Sequence, residues 1–213
     1  METLVLKVDP QNPAAEVIKR AGDAIRRGEL VAFPTETVYG LGADAFNKQA
    51  VLRVYEVKGR PANNALPVQV ASKEDVLKLA AEVPDVARRL MERFFPGSLT
   101  LVLRASPDVP DEVTAGTGKV GIRIPDHPVA LALIRAAGTS IVAPSANVTG
   151  QPPPTTAEEA LEYLGGRIEL VLDAGPTRLK VASTVVDVTE APLRILRRGS
   201  ISEEMLAACL KAG

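Results

Sequence analysis

The sequence has few of the residues on which several kinds of protein chemistry depend. Its 213 residues include one cysteine, one histidine and no tryptophan. A single cysteine cannot form an intramolecular disulfide, and one cysteine with one histidine is too few for the usual tetrahedral zinc site. The aromatic content of 3% argues against a stacking platform for single-stranded nucleic acid. An intramolecular disulfide and a Cys/His zinc centre are therefore excluded, and with Cys209 near the C-terminus Cys/His nucleophilic catalysis has no support.

The sequence also lacks an excess of charge of either sign and any long apolar run. Lys and Arg total 25, Asp and Glu total 26, and the formal net charge is -1. The field of the whole molecule therefore does not indicate a nucleic-acid binder, and any anion site must depend on local basic clusters. No segment approaches the ~20 continuous apolar residues of a membrane span. We expect a cytoplasmic protein with no membrane partner.

Short β-rich runs alternate with helical patterns along the whole chain. Nine runs favour strands: LVLKV, LVAFP, LPVQVA, LTLVLR, VGIRIP, SIVAPS, IELVLD, STVVDV and PLRILR. Helical periodicity covers 14–27, 48–58, 73–81, 84–94, 128–137, 156–164 and 202–211. Several strands follow one another with only loops between them, which argues against a simple parallel sheet. We predict an α/β fold, with an open twisted mixed sheet flanked by helices, in one domain over residues 1–213.

Two phosphate-binding patterns fail on inspection. The segment TAGTGKVG (114–121) has Val113 and Val120 where a Walker A loop needs glycine and a hydroxyl residue. The segment GLGADAF (40–46) lacks the third glycine of a dinucleotide fingerprint, and no crossover helix follows it at once. Neither pattern supports a nucleotide site of those two types.

Basic and hydroxyl residues recur where predicted strands end, which is where open α/β sheets place ligands. Each segment alone has a structural interpretation: EVKGRPANNAL can end a helix, and APSANVTG can form an Asx or Ser turn. Arg123 lies within the apolar strand GIRIP, so it either pairs with a carboxylate of the protein or faces an anionic ligand. Together, Lys58, Arg60, Arg123 and Arg197 predict a common pocket for phosphate or carboxylate.

Six ordered blocks carry a family resemblance. They are FPTETVYGLGADAFN, YEVKGRPANNALPVQVA, FFPGSLTLVL, VGIRIPDHPVA, IVAPSANVTGQPPPT and STVVDV…LRILRRG. From about residue 10 to 200 the chain resembles the YrdC-like L-threonylcarbamoyladenylate synthases. The resemblance implies a YrdC-like sheet with a concave basic cleft. It also implies that L-threonine, bicarbonate and ATP are condensed to threonylcarbamoyl-AMP and pyrophosphate, in the pathway to the t6A base of tRNAs that read ANN codons.

The resemblance also implies roles for individual residues. The threonine pocket would comprise Thr37, Gln69, Arg123, the backbone at Ala143, and Ser183, with the arginine on the amino-acid carboxylate. The ATP contacts would be Arg60, Asn64, Lys119, Ser145, Asn147, the backbone near Pro153, and Arg197. Lys58 and Arg60, with Mg2+, would offset the charge that develops on the leaving pyrophosphate. No residue of the chain is assigned as a metal ligand.

The sequence departs from the family pattern in one residue that bears on the substrate. Gln69 stands where many members have a histidine, and an amide can donate a hydrogen bond but cannot carry a proton. The glutamine keeps open a YrdC-like carbamoyl transferase that works on a different acceptor. A second alternative is an RNA-binding module of the same fold that uses the concave basic face without catalysis. The chain would be the short, single-domain type of the family. We expect it to work with partner proteins of tRNA modification, and tRNA itself is a further candidate partner.

Overall fold

The computed structural model describes residues 2–211. Helices are α1 (Ala15–Arg26), α2 (Lys48–Lys58), α3 (Lys73–Leu79), α4 (Asp85–Phe94), α5 (Asp111–Thr114), α6 (Pro128–Ala137), α7 (Ala157–Leu164) and α8 (Glu203–Lys211). Strands are β1 (Leu4–Lys7), β2 (Val31–Phe33), β3 (Gly40–Asp44), β4 (Val68–Gln69), β5 (Leu99–Arg104), β6 (Lys119–Arg123), β7 (Ile141–Val142), β8 (Leu170–Asp173), β9 (Thr184–Asp187) and β10 (Arg194–Arg197).

The strands form one mixed sheet in the order β1-β8-β2-β3-β7-β4-β6-β5-β9-β10. Four pairings are parallel: β1 with β8, β8 with β2, β4 with β6, and β5 with β9. The other five are antiparallel. The predicted mixed sheet of an α/β fold is confirmed. All nine predicted strands occur in the sheet, and all seven predicted helices occur in the fold.

Strand β3 was not predicted, because its sequence GLGAD has the glycine content of a turn. Packing explains Gly42. A Cβ on Gly42 would lie 3.0 Å from the Phe33 ring and 3.1 Å from the Ile141 side chain, whereas a Cβ on Gly40 would lie at an ordinary contact distance of 3.4 Å from the same ring. Phe33, which is fully buried, therefore occupies the space that a side chain at position 42 would fill.

The sheet separates two apolar cores. Alternate residues of a strand point to opposite faces, and in β2 Val31 and Phe33 belong to one core while Ala32 belongs to the other. The first core is closed by α1 and α6, which approach so closely that a Cβ on Gly22 would lie 2.7 Å from the backbone of Ala136. The second core includes residues of α2, α4 and α7. No helix within residues 2–211 is both long enough and apolar enough to span a membrane.

Candidate functional site

A cavity of about 440 Å³ lies against β4, β6, β5 and β9. Ten of the residues that the sequence singled out line it: Thr37, Arg60, Asn64, Gln69, Lys119, Arg123, Ala143, Ser145, Ser183 and Arg197. Lys58, Asn147 and Pro153 do not. Residues as far apart in sequence as Thr37 and Arg197, 160 positions, therefore reach one cavity, since the strand order brings β4, β6, β5, β9 and β10 side by side.

Arg123, at one end of the cavity floor, is 5% exposed and already has protein partners. Its Nε donates to Gly97 O at 2.9 Å, its Nη1 donates to Thr37 Oγ1 at 2.9 Å, and its Nη2 lies 2.6 Å from Glu36 Oε1. Of the two interpretations of this strand arginine, pairing with a carboxylate of the protein is the one observed. A substrate carboxylate would therefore share Arg123 with Glu36.

The Thr37 hydroxyl lies in a chain of hydrogen bonds. Thr35 Oγ1 donates to Val38 O at 2.7 Å and lies 2.8 Å from Thr37 Oγ1. Since the single hydroxyl hydrogen of Thr35 goes to Val38, Thr37 donates to Thr35 and accepts from Arg123. Both threonines are buried, so the orientation of Thr37 is set before a ligand binds.

Ser183 joins the floor of the cavity to β10. Its hydroxyl is 2.8 Å from Thr100 Oγ1 and accepts from Arg197 Nη2 at 2.9 Å, while its carbonyl accepts from Arg197 Nε at 3.0 Å. Burial of its guanidinium lowers the pKa of Arg197, and repulsion from the nearby Arg123 and Arg60 lowers this pKa further. Three cationic groups thus act on one another across the cavity.

Gln69 and Ala143 complete this end. Gln69 pairs with Arg123 across β4 and β6, and its Oε1 is buried without a hydrogen-bond partner. The N–H of Ala143 donates to Pro67 O at 2.8 Å, so a ligand could contact the Ala143 backbone only through its carbonyl oxygen.

Lys119 marks the other end of the floor. Its Nζ lies 3.0 Å from Asp187 Oδ2 and 3.7 Å from Glu190 Oε1. Asp187 Oδ1 accepts from both the N–H and the hydroxyl of Thr189. These donors and Lys119 lower the pKa of Asp187 against the opposing effect of burial, which is the largest single influence. Lys119, like Arg123, therefore has a carboxylate partner.

Arg60 lies on the wall formed by the loop after α2. Its Nε donates to Asn64 O at 2.8 Å, and its Nη2 donates to Asn64 Oδ1 at 2.8 Å and to Ala65 O at 2.7 Å. Burial lowers the pKa of Arg60. Within residues 2–211 neither Arg60 nor Arg197 has a carboxylate within salt-bridge distance, so both guanidiniums present uncompensated charge.

Lys58 lies behind the cavity. Its Nζ is buried and donates to Ser145 O at 2.5 Å and Asn147 O at 2.6 Å, while its carbonyl accepts from Thr149 N at 2.8 Å. Burial, followed by repulsion from Arg60, lowers the pKa of Lys58 to about 7. Of the four basic residues predicted to share a pocket, Lys58 is therefore outside the lining, and what it contacts is the loop that carries Ser145.

Asn147 and Pro153 also contact the protein or the solvent rather than the cavity. The Asn147 amide donates to Val148 O and Gln151 O, which folds the segment 147–151. Pro153 is exposed. The contacts of Asn147 and Pro153 with ATP stay predictions, since neither residue lines the cavity.

The lining residues that were missed in the sequence include Thr100, Gly121 and Asp187. Glu36, which pairs with Arg123 beneath the lining, was also given no role. Glu36 and Asp187 are acidic partners of predicted basic residues. Polar residues inside the apolar runs LTLVLR and STVVDV were the available signal for Thr100 and Asp187. No such signal marked Glu36, because its partner is 87 positions away.

Comparison with known proteins agrees with this geometry. Residues 23–199 match the Sua5/YciO/YrdC family, which is described as telomere recombination. The threonylcarbamoyl-AMP synthase of Pyrococcus abyssi is 50% identical over 187 residues, covering 88% of this chain and 55% of the relative. That of Bacillus subtilis is 48% identical over 203 residues, covering 95% and 57%. The chain thus spans little more than half the length of these relatives.

Solved structures give the same grouping. Pyrococcus abyssi Sua5 complexed with L-threonine has a TM-score of 0.95 at 46% identity, covering 98% of this chain and 61% of that one. Escherichia coli YciO has a TM-score of 0.86 at 25% identity, covering 93% and 96%. The sequence match over 23–199 and the relatives at about half identity show that this chain belongs to the Sua5/YciO/YrdC family.

Proposed function

We propose that this chain is an L-threonylcarbamoyladenylate synthase, a nucleotidyltransferase that uses L-threonine, bicarbonate and ATP. The observation that carries the proposal is the pair of guanidiniums, Arg60 and Arg197, that face the cavity without a carboxylate partner. Uncompensated arginines favour phosphate binding. The relatives named threonylcarbamoyl-AMP synthase, and the L-threonine bound to the Pyrococcus abyssi protein, support the choice of substrates.

The amino acid would occupy the end of the cavity at Arg123, Thr37 and Ser183. Its carboxylate would approach Arg123, whose guanidinium is held by Gly97 and Glu36. Pre-set donors of this kind reduce the cost of orienting a ligand. Gln69 is a neutral neighbour there, so we propose that threonine binding depends on hydrogen bonding at this position and not on a titrating side chain.

The reaction would proceed in two steps. The threonine amine attacks bicarbonate carbon, a C–N bond forms, and water leaves to give the carbamate. A carbamate oxygen then attacks the α-phosphorus of ATP, and the bond from that phosphorus to the bridging oxygen breaks to release pyrophosphate. Arg60 and Arg197 would stabilise the negative charge that develops on the transferred and leaving phosphates.

Magnesium would be bound through the triphosphate. Within residues 2–211 there is no group of three or more His, Cys, Asp or Glu side chains that could form a metal cage. Asp187 is an acidic residue of the lining, and its carboxylate oxygens accept hydrogen bonds from Lys119 and Thr189. Mg2+ often binds with few protein ligands when phosphates and water supply the rest, so it would offset phosphate charge without a protein cage here.

Lys58 would support the reaction through the protein. Its ammonium nitrogen contacts two carbonyl oxygens of the segment that carries Ser145 and Asn147. We propose that it holds Ser145 at the nucleotide end. The product would be consumed in the cytoplasm by partner proteins that modify tRNA.

The test is pyrophosphate release by purified protein with ATP, L-threonine, bicarbonate and Mg2+. Release that requires both threonine and bicarbonate is expected. Equal release with other amino acids would favour a transferase with another acceptor. No release, together with RNA binding that weakens steeply with salt and ignores ATP, would favour the RNA-binding function.

A further inference from the structure

Gly121 lies at the centre of the cavity floor. On β6, Lys119, Gly121 and Arg123 alternate with buried residues and all three line the cavity. Successive residues on one face of a strand are about 6.6 Å apart. Any ligand that contacts both Lys119 and Arg123 must therefore cross above Gly121.

The backbone does not explain a glycine at this position, and packing opposes a methyl group there through one tight contact alone. The φ angle of Gly121 is not positive, so a residue with a side chain could adopt the same backbone conformation. A Cβ would lie 3.2 Å from Thr100 Cγ2, 3.8 Å from Val102 Cγ2 and 4.0 Å from Pro67 Cα. Only the first contact is tight, and it is with a side-chain methyl.

Gly42 provides the contrast within the same sheet. Its Cβ would meet Phe33 at 3.0 Å, Ile141 at 3.1 Å and Val31 O at 3.2 Å, so protein atoms fill the space. At Gly121 the remaining space is the cavity itself. Glycine inside a strand weakens it, and a common reason for its presence is the close approach of a ligand.

We infer that Gly121 provides the space for the junction between the amino-acid part and the nucleotide part of the bound ligands. This inference rests on the proposed function. Gly121, Val102 and Asp187 lie side by side on three neighbouring strands. Gly121 has no side chain and is therefore the lowest point of this row. Along β6, Arg123 lies to one side of Gly121 and Lys119 to the other, and all three line the cavity. The carbamate oxygen and the α-phosphorus meet above Gly121, and a side chain there would hold them apart.

The decisive variant is Gly121→Ala, with two variants at its cross-strand partner. Val102→Leu extends a side chain towards the same space from β5, and Val102→Ala shortens it as the matched control. A displacement of about 1 Å between reacting atoms costs on the order of 100-fold in rate. We expect G121A to lower kcat by about that factor, V102L to lower it less, and V102A, which adds no atoms above Gly121, to lower it less than V102L does.

Binding measurements separate the junction from the two ends. By calorimetry, G121A is expected to bind L-threonine alone and a non-hydrolysable ATP analogue alone as the wild type does. Binding of the analogue to the threonine-saturated protein in the presence of bicarbonate should be weakened. Circular dichroism and a thermal melt check that the variant is folded. If G121A does not fold, V102L against V102A gives the same comparison on an unaltered β6.

Three results would overturn the inference. Wild-type turnover in G121A and V102L would show that no ligand atom lies above Gly121. Loss of threonine binding alone, or of analogue binding alone, would place one ligand there and not the junction. If the wild-type protein releases no pyrophosphate, the proposed function fails, whereas the separate and joint binding of the two ligands still tests the position of Gly121.

Discussion

The floor and the walls of the cavity carry cations in different states. On the floor, the two basic residues of β6 have carboxylate partners: Arg123 with Glu36 and Lys119 with Asp187. On the walls, Arg60 and Arg197 donate only to carbonyl, amide and hydroxyl oxygens. The floor is therefore close to electrically neutral before a ligand binds, whereas the walls are not.

This difference separates two tasks that a count of basic residues would merge. Paired cations are held in position and add little net attraction for an anion. Unpaired guanidiniums attract phosphate and can use both of their donors at once. We interpret the floor as the part that orients the ligand and the walls as the part that compensates phosphate charge.

The largest effect should come from separating the buried pair on the floor. Arg123→Ala leaves Glu36, 2% exposed, without its partner. Breaking a buried pair from one side costs about 3–5 kcal/mol. We expect the free energy of unfolding, measured in urea, to fall by about that amount.

The double variant Arg123→Ala/Glu36→Gln should recover part of the loss, because the unpaired charge is gone. Lys119→Ala is the comparison on the same strand: its side chain is 35% exposed, so a change within about 1 kcal/mol is expected. Equal losses at Lys119 and Arg123 would contradict the description of the Arg123 pair as the buried one.

The next effect concerns the walls. Arg197→Ala should lower kcat/KM for ATP by about 100- to 1,000-fold, as is typical when one donor to a developing negative charge is removed. The fold should be retained, since Arg197 lies on the edge strand β10 and much of the residue outside its partly buried guanidinium is exposed. Steady-state pyrophosphate release measures this effect.

Arg198→Ala is the matched control. Arg198 is the next residue, its side chain is 84% exposed, and it pairs with Glu203 outside the cavity. Wild-type kinetics are expected for it. If both variants lose activity alike, the effect belongs to the strand and not to the guanidinium in the cavity.

The smallest effect, per unit of pH, should appear at Lys58, the buried cation behind the walls. Its pKa is about 7 in the folded protein against 10.5 as the ordinary value. Between these pH values the unfolded chain binds a proton that the folded chain does not. Wild-type stability, measured relative to Lys58→Met, should therefore rise with pH from about 7 to 10, by at most about 1.4 kcal/mol per pH unit.

Chemical denaturation at several pH values between 6 and 10 measures this slope. The same substitution at the exposed Lys19 corrects for the loss of a surface lysine. A stability difference that does not change with pH would show that Lys58 keeps its proton, held by the carbonyls of Ser145 and Asn147.

Much of the fold could be predicted because its signals are local. Gly59 ends α2 in the left-handed conformation, within the segment that the sequence predicted could end a helix. Strand β3 could not be predicted, because glycines are typical of turns and the reason for Gly42 is the ring of Phe33 on the neighbouring strand. Local patterns therefore predicted elements but not what packs between them.

The site followed the same division. Basic residues in the motifs, together with the family resemblance, predicted which residues would gather, and ten of those residues line the cavity. Which cations would be paired depended on the register of strands and on the loop that carries Glu36, and neither is visible in a single sequence. Lys58 shows the limit most clearly, because its position in a basic motif could not reveal that its ammonium group points towards two carbonyls.

The hydrogen-bond chain through Thr35 and Thr37 has a direction, and that direction constrains what can bind. The hydroxyl hydrogen of Thr37 is committed to Thr35, and one of its two lone pairs accepts from Arg123. What remains is one lone pair, which can only receive a hydrogen. A ligand group that meets Thr37 must therefore bring its own proton, as an ammonium or an alcohol does, and a carbonyl or ether oxygen in the same place would meet oxygen against oxygen.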